Sequence, residues 1–396
     1  MRIARRNLLG LATGLALGRS RLAIADVVSP AVEARLVVVL LRGALDGLSA
    51  VPPYGDPDYA RHRGELALAE PGQEGGALDL GGRFGLHPRL ANLHRMYSAG
   101  DALVAHAVAG PWRSRSHFEA QDLLESGAAE RLRSGWLNRA LAGLPVEPAG
   151  SSRRALAVGV EVPLLLRGAA SVASYSPAGG TRLDASLWAN LLALTGDDAV
   201  LGPALREGVL ARGYSAAVMA GAAQPSGNSS AFPALAAAAG RLLAQPNGPR
   251  VAALELLGWD THAFQTARLL GPLGSLDDGL GALQAQLGDA WQHTAVLVMT
   301  EFGRTVRING TRGTDHGTGG CAFLVGGAVA GGRVLADWPG LAEDRLLEGR
   351  DLMPTQDLRA IALGLLRTHL RLPDDALARA FPESASLTPQ AGLLRG

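Results

Sequence analysis

Two stretches of this chain are apolar without interruption. Leu36–Leu41 follows Arg35 as Leu-Val-Val-Val-Leu-Leu, and Thr294–Thr300 is polar only at its two threonine ends. A strand with one wet face alternates polar and apolar residues, so a strand without alternation is covered on both faces. Such strands sit in the middle of a parallel sheet with helices packed on each side. Further short apolar runs occur at Ala102–Val108, Ala155–Val160, Val251–Leu256 and Ala322–Val325. Between them lie Ala/Leu-rich stretches with helical character at 116–126, 184–195, 231–245, 265–289 and 356–370. Strands interleaved with helices predict an α/β protein with a doubly wound, mostly parallel central sheet flanked by helices.

Composition narrows the function classes. The chain has 396 residues, 47% hydrophobic and 18% charged, as a globular body requires. Its 37 basic residues are all arginine; they balance 36 acids to a net charge of +1, which gives no electrostatic footprint for nucleic acid. The single cysteine, Cys321, excludes an internal disulfide and a cysteine-built zinc site. No apolar run in the mature region is long enough for a membrane span.

Residues 1–25 read as a signal peptide. Arg5 and Arg6 precede a mildly apolar stretch, Leu8–Gly18, and Ala23-Ile24-Ala25 is an A-x-A cleavage site. The paired arginines point to the twin-arginine export machinery, the alternative being an ordinary secretory leader. The expected location is periplasmic or secreted. Residues 26–396 are expected to form a single α/β domain. Tyr54–Gly82 reads as a long loop, Gln224–Ser230 as a short one, and a loosely ordered tail is expected after about 382.

In open α/β sheets ligands lie beyond the C-terminal strand ends, so the polar residues that follow each strand are the candidates. Asp46 follows the first strand in Arg42–Gly47 and can ligate a cation, or simply make an Asp-Gly turn. Ser116 and His117 open a helix. Ser116 can act as a nucleophile at the positive end of that helix, with Arg113 and Arg115 holding an anion. It can equally be the first residue of a Ser-x-x-Glu capping box. Asp260 and His262 follow the Val251–Leu256 strand as an Asp-x-His pair suited to one ion. Glu301 and Arg304 follow the Thr294–Thr300 strand, with a plain salt bridge as the alternative. Asp315 and His316 sit in a glycine-rich loop. His87 and His106 read as structural.

These motifs resemble a known family. Arg42–Gly47, Ser116–Asp122 (Ser-His-Phe-Glu-Ala-Gln-Asp), Trp259–His262, Thr300–Thr305 and Gly313–Gly317 occur in order across nearly the whole mature chain. The chain resembles the domain-of-unknown-function 1501 family, itself similar to the alkaline phosphatase and sulfatase superfamily. That resemblance implies an alkaline-phosphatase-like fold and an exported, metal-dependent hydrolase of phosphate or sulfate esters, with a small-molecule or polymer ester as partner. The candidate catalytic residues are Ser116, His117 and Arg304; the candidate metal ligands are Asp46, Asp260, His262, Glu301, Asp315 and His316. One or two divalent ions are implied, with zinc, calcium, magnesium and manganese not distinguished. The superfamily's strand-end Asp-His pair is Glu301-Phe302 here. The competing reading is a non-catalytic metal- or ligand-binding secreted protein on the same fold.

Overall fold

The apolar run at Leu36–Leu41 is a strand with a parallel neighbour on each side. In a computed structural model, Val38 of β1 (Arg35–Arg42) lies opposite Ala253 of β5 (Val251–Leu257) and Leu297 of β6 (Thr294–Thr300). The structure describes residues 34–144, 154–159, 161–176, 185–195 and 231–396, with a few single positions between 198 and 219. The expected signal peptide, the loop Gln224–Ser230 and the last expected strand residue Val160 lie outside the described residues.

Nine strands form one sheet among the described residues. The others are β2 (Ala102–Ala109), β3 (Ala155–Val158), β4 (Ala173–Tyr175), β7 (Gly320–Val325), β8 (Arg333–Leu335) and β9 (Gln356–Asp357). Their order is β8-β2-β7-β6-β1-β5-β3-β4, and β9 adds to β2. Only β7 runs against the rest, antiparallel to both β2 and β6. Its N-terminal end therefore comes to the same rim as the C-terminal ends of β1, β5 and β6. The three shortest strands, β4, β8 and β9, carry too few residues for a periodic signal and were not expected.

Alternate side chains of β1 enter two separate cores. Val37, Val39 and Leu41 pack with α3 (Ala91–Ser98), α7 (Ala231–Ala244) and α8 (Gln265–Leu287). Leu36, Val38 and Leu40 pack with α5 (Trp136–Leu141), α9 (Leu358–Thr368) and α10 (Asp374–Ala380). The protein is thus a mixed α/β structure with a large, mostly parallel central sheet flanked by helices. Burying a leucine or valine contributes about 1.5–3 kcal/mol, so apolar residues on both faces of β1 are what the two covering layers require. The remaining α-helices among the described residues are α1 (Gly47–Ala50), α2 (Tyr59–Arg63), α4 (His117–Ser126) and α6 (Ala185–Thr195).

Residues 34–396 form one compact unit. Two expectations change here. The stretch Tyr54–Gly82 is not only loop: it contains α2 and one strand of a two-stranded ribbon, Leu78–Asp79 with Gly85–Leu86. The segment after 382, expected to be loose, packs back onto the body of the protein. Leu393 is buried, Leu394 bridges Val329, and the Arg395 amide donates to the Ala328 carbonyl. Among the described residues no helix is long and apolar enough to cross a membrane.

Candidate metal centre

Four segments reach one rim of the sheet. The connection after β2 starts α4 with Ser116 as its extended N-cap and His117 as its first residue. The loop after β5 carries Asp260 and His262. Glu301 is the first residue beyond β6. The loop entering β7, reversed relative to its neighbours, delivers Asp315 and His316.

His117, Asp260 and His316 form a possible metal-binding triad: one ligand atom from each lies within 4.8 Å of the others. His117 Nε2 is 3.4 Å and His316 Nε2 is 3.3 Å from Asp260 Oδ1. His262 is close to the same carboxylate, with Nε2 3.0 Å from Asp260 Oδ1 and 2.9 Å from His316 Nε2. Zinc bound to four ligands at about 2.0–2.2 Å in a tetrahedron holds the ligand atoms about 3.3–3.6 Å apart. The spacing therefore fits an ion.

The other ring nitrogen of each histidine explains the orientation. His117 Nδ1 is 2.8 Å from Glu301 Oε1, His262 Nδ1 is 3.1 Å from Asp315 Oδ1, and His316 Nδ1 is 2.7 Å from the Arg115 carbonyl. Each partner accepts only, so each imidazole carries a proton on Nδ1 and, when neutral, presents a lone pair at Nε2. His117 Nε2 is buried and makes no hydrogen bond. Three lone pairs and a carboxylate oxygen gathered in this way repel each other unless a proton or a cation lies between them.

The electrostatics divide the histidines. The hydrogen bond from His117 to Glu301 raises the His117 pKa, whereas burial lowers that of His316. Burial pushes Asp260 upward, but the Arg304 hydrogen bond and the charges of His262, Arg304 and His117 hold it below the usual carboxylate range. Glu301 also lies below its ordinary value. Burial opposes this, and hydrogen bonds from His117, Gln121 and the Gly43 amide outweigh it.

Behind the triad is a buried polar network. Arg304 donates from Nη1 to Asp260 Oδ1 at 3.0 Å, and from Nε and Nη2 to the Thr314 hydroxyl and carbonyl. The Thr314 hydroxyl meets Gln265 Oε1 at 2.6 Å, and Gln265 Nε2 donates to Asp46 and to Ser49. The chain of contacts ends at Arg63, fully buried and paired with Asp46. Glycines permit the close approach: a Cβ on Gly303 would sit 2.0 Å from the Gly319 carbonyl oxygen.

Several expected site residues lie elsewhere. Asp46 is not among the triad. One oxygen accepts the Leu48 and Ser49 amides as the N-cap of α1; the other takes Arg63, Gln265 and the Ser49 hydroxyl, leaving no lone pair for an ion. Glu301 and Asp315 hold the outer nitrogens of His117 and His262. Glu301 makes no salt bridge to Arg304, which pairs with Asp260 instead. Ser116 is exposed and its side chain makes no capping bond; the helix-start Glu119 instead accepts from Ser114. Arg115 is bound by Asp351 and Glu348, and Arg113 donates to the Gly110 and Trp112 carbonyls. His87 accepts the Arg89 amide, and burial lowers its pKa to about 4. His106 contacts the Val51 carbonyl and the Ala107 amide, and burial lowers it also to about 4. Gln121, Asn309 and Gln265 were not expected. Gln121 carried a usable signal, since it lies four residues after His117 on the same face of α4.

Glu301→Gln is expected to weaken zinc binding by ~10–100-fold, the usual effect of losing an outer partner of a ligating histidine. Isothermal titration of wild type and variant measures it; equal affinities would mean that Glu301 does not orient His117.

Fold and site together define an α/β protein with a potential metal-binding triad on the rim of its sheet. A family model described as "Protein of unknown function (DUF1501)" matches residues 99–376, and the chain belongs to that family. The match supports the family alone and says nothing of an alkaline phosphatase and sulfatase superfamily, which corrects the wider resemblance drawn from the motifs. It also begins after β1, so the Arg42–Gly47 turn lies outside it. No curated protein matches the chain. A solved structure described as "Crystal structure of Ps i-CgsB" is similar at 10% identity, covering 87% of this chain and 74% of that chain, with a TM-score of 0.37.

Proposed function

We propose that this chain is a metal-dependent hydrolase of phosphate or sulfate esters, with one divalent ion held by His117, Asp260 and His316. The observation that carries this reading is the meeting of imidazole Nε2 lone pairs at Asp260 Oδ1, each imidazole fixed from behind. The donor set is richer in nitrogen than in carboxylate, because Asp46, Glu301 and Asp315 are engaged elsewhere. That favours zinc or a neighbouring transition metal over calcium or magnesium. A bound dication would supply Lewis acidity to an anionic ester.

The chain's own groups have separate parts in this scheme. Arg304 fixes Asp260. Asp315 fixes His262 so that its Nε2, beside Asp260, can take or return a proton during hydrolysis. The side chains of Asp260 and His262 are nearly half exposed, which leaves the site accessible to substrate. The paired arginines of the leader support export in the same reading.

A second reading is a closed, non-catalytic metal site. It is favoured by the nearness of His262 to Asp260, which supplies a fourth donor and would complete a tetrahedron. It is favoured too by Ser116, whose side chain makes no hydrogen bond to a base among the described residues. His262→Ala separates the two. As a hydrolase the variant keeps its ion and loses turnover of p-nitrophenyl phosphate and p-nitrophenyl sulfate; as a closed site it loses the ion. Absence of turnover by the fully metal-loaded wild type across a broad ester panel would overturn the hydrolase reading.

A further inference from the structure

A cavity of about 580 Å³ opens over the C-terminal ends of β1 and β5 and against α4, whose first residue is His117. Its size falls within the ~300–1,000 Å³ typical of small-molecule sites. It shares structure with the metal centre. Gln121 lines the cavity and also donates to Glu301, which holds His117. Phe118 lines it and directly follows His117. Arg42 lines it and precedes Gly43, whose amide donates to Glu301 and whose carbonyl accepts from Arg304.

The lining combines two chemistries. Phe118 is 88% exposed and Leu257 is 72% exposed, large apolar groups that gain by being covered. Near them Arg42 donates to Glu125 and Glu255, and Arg131 pairs with Asp122. Glu255 Oε2 and Gln121 Oε1 make no hydrogen bond among the described residues and are free acceptors, while Arg131 retains unused N–H groups. Three arginines face four carboxylates around the cavity, so its formal balance is slightly negative. An anionic ligand is disfavoured there. A ring with hydroxyls on its edge and a C–H face satisfies both kinds of wall: its face lies on Phe118 and its hydroxyls take the free acceptors and donors.

We infer that this cavity is a subsite for a neutral or cationic hydroxyl-bearing ring, of which a saccharide is the simplest member. It would hold the uncharged part of an ester whose anionic group lies at the metal centre. Only this last link rests on the hydrolase reading.

The test is titration of the full chain with cellobiose, lactose, glucosamine and glucuronate, read by protein-observed NMR with and without zinc, beside Phe118→Ala. Phe118 is almost wholly exposed, so its truncation leaves the core intact. The expected result is binding of at least one neutral or amino sugar, at least tenfold weaker in Phe118→Ala, with glucuronate bound more weakly than either class. No sugar binding, unchanged binding by Phe118→Ala, or glucuronate bound best would each overturn the inference. Sugar binding without ester turnover would leave the subsite standing and remove the hydrolase reading. Ester turnover without sugar binding would do the reverse.

Discussion

Alanine at His117 or at His316 is expected to abolish divalent-ion binding at the triad. Each imidazole offers its Nε2 because Nδ1 is held, by Glu301 in one case and by the Arg115 carbonyl in the other. Removing the ring deletes a donor outright, so the loss should exceed the ~10–100-fold expected for an outer partner such as Glu301. Dialysis against a graded zinc chelator, followed by elemental analysis, gives the affinity. Unfolding midpoints give an independent reading, since an ion at 100 times its Kd stabilises the native state by about 2.7 kcal/mol. Wild type should gain that stability with zinc, and neither variant should. Metal content equal to wild type in both variants would place the ion elsewhere.

The second large effect lies one layer deeper. Arg63 and Asp46 are both almost wholly buried and paired, with Gln265 and Ser49 completing the hydrogen bonding of the carboxylate. Truncating one partner strands the other charge, and Arg63→Met is expected to cost about 3–5 kcal/mol in urea unfolding. The double variant Arg63→Met with Asp46→Asn should recover much of that, because no lone charge is left behind. A single-variant loss below about 1 kcal/mol would mean that water reaches the pair. The pH dependence follows from the same contact. Burial raises the Asp46 pKa, but the Arg63 charge and the hydrogen bonds from Arg63, Gln265 and Ser49 bring it below the ordinary value. Its stabilisation is therefore complete above the unfolded value of about 3.9 and is lost as pH falls through the lower, folded value. Asp46→Asn should flatten that part of the acid-unfolding curve.

Much of the main-chain frame is legible in the amino-acid sequence. Uninterrupted apolar runs marked β1 and β6 because both of their faces are covered, and α4, α7 and α8 were bounded to within two residues. Polar residues at the strand ends are legible as candidates, and those after β5 and β6 do come together at one rim. Their division of labour was not legible. Asp46 and Asp260 both follow a strand, yet only Asp260 faces the histidines; Asp46 is claimed by Arg63, which arrives from a helix inside a stretch that looked like loop. Glu301 and Asp315 have the residue type of ligands and the position of outer partners, a difference of a few ångströms that spacing along the chain does not encode. The sequence places His117 beside a candidate nucleophile, Ser116, and nothing in that local setting marks it as a partner of Asp260. Its role in the triad depends on the reversal of β7, which brings His316 within 4.3 Å of it, ring centre to ring centre.

That reversal has a consequence for when an ion can be captured. Of the three donors, His117 leaves the ribosome first, 143 residues before Asp260, and His316 follows only with the loop that enters β7. No hairpin or local fragment contains the three donors, and the last of them is set in place only once β7 has slotted between β2 and β6. Metal uptake at the triad would thus be a certificate of completed folding, withheld from any truncated or half-assembled chain.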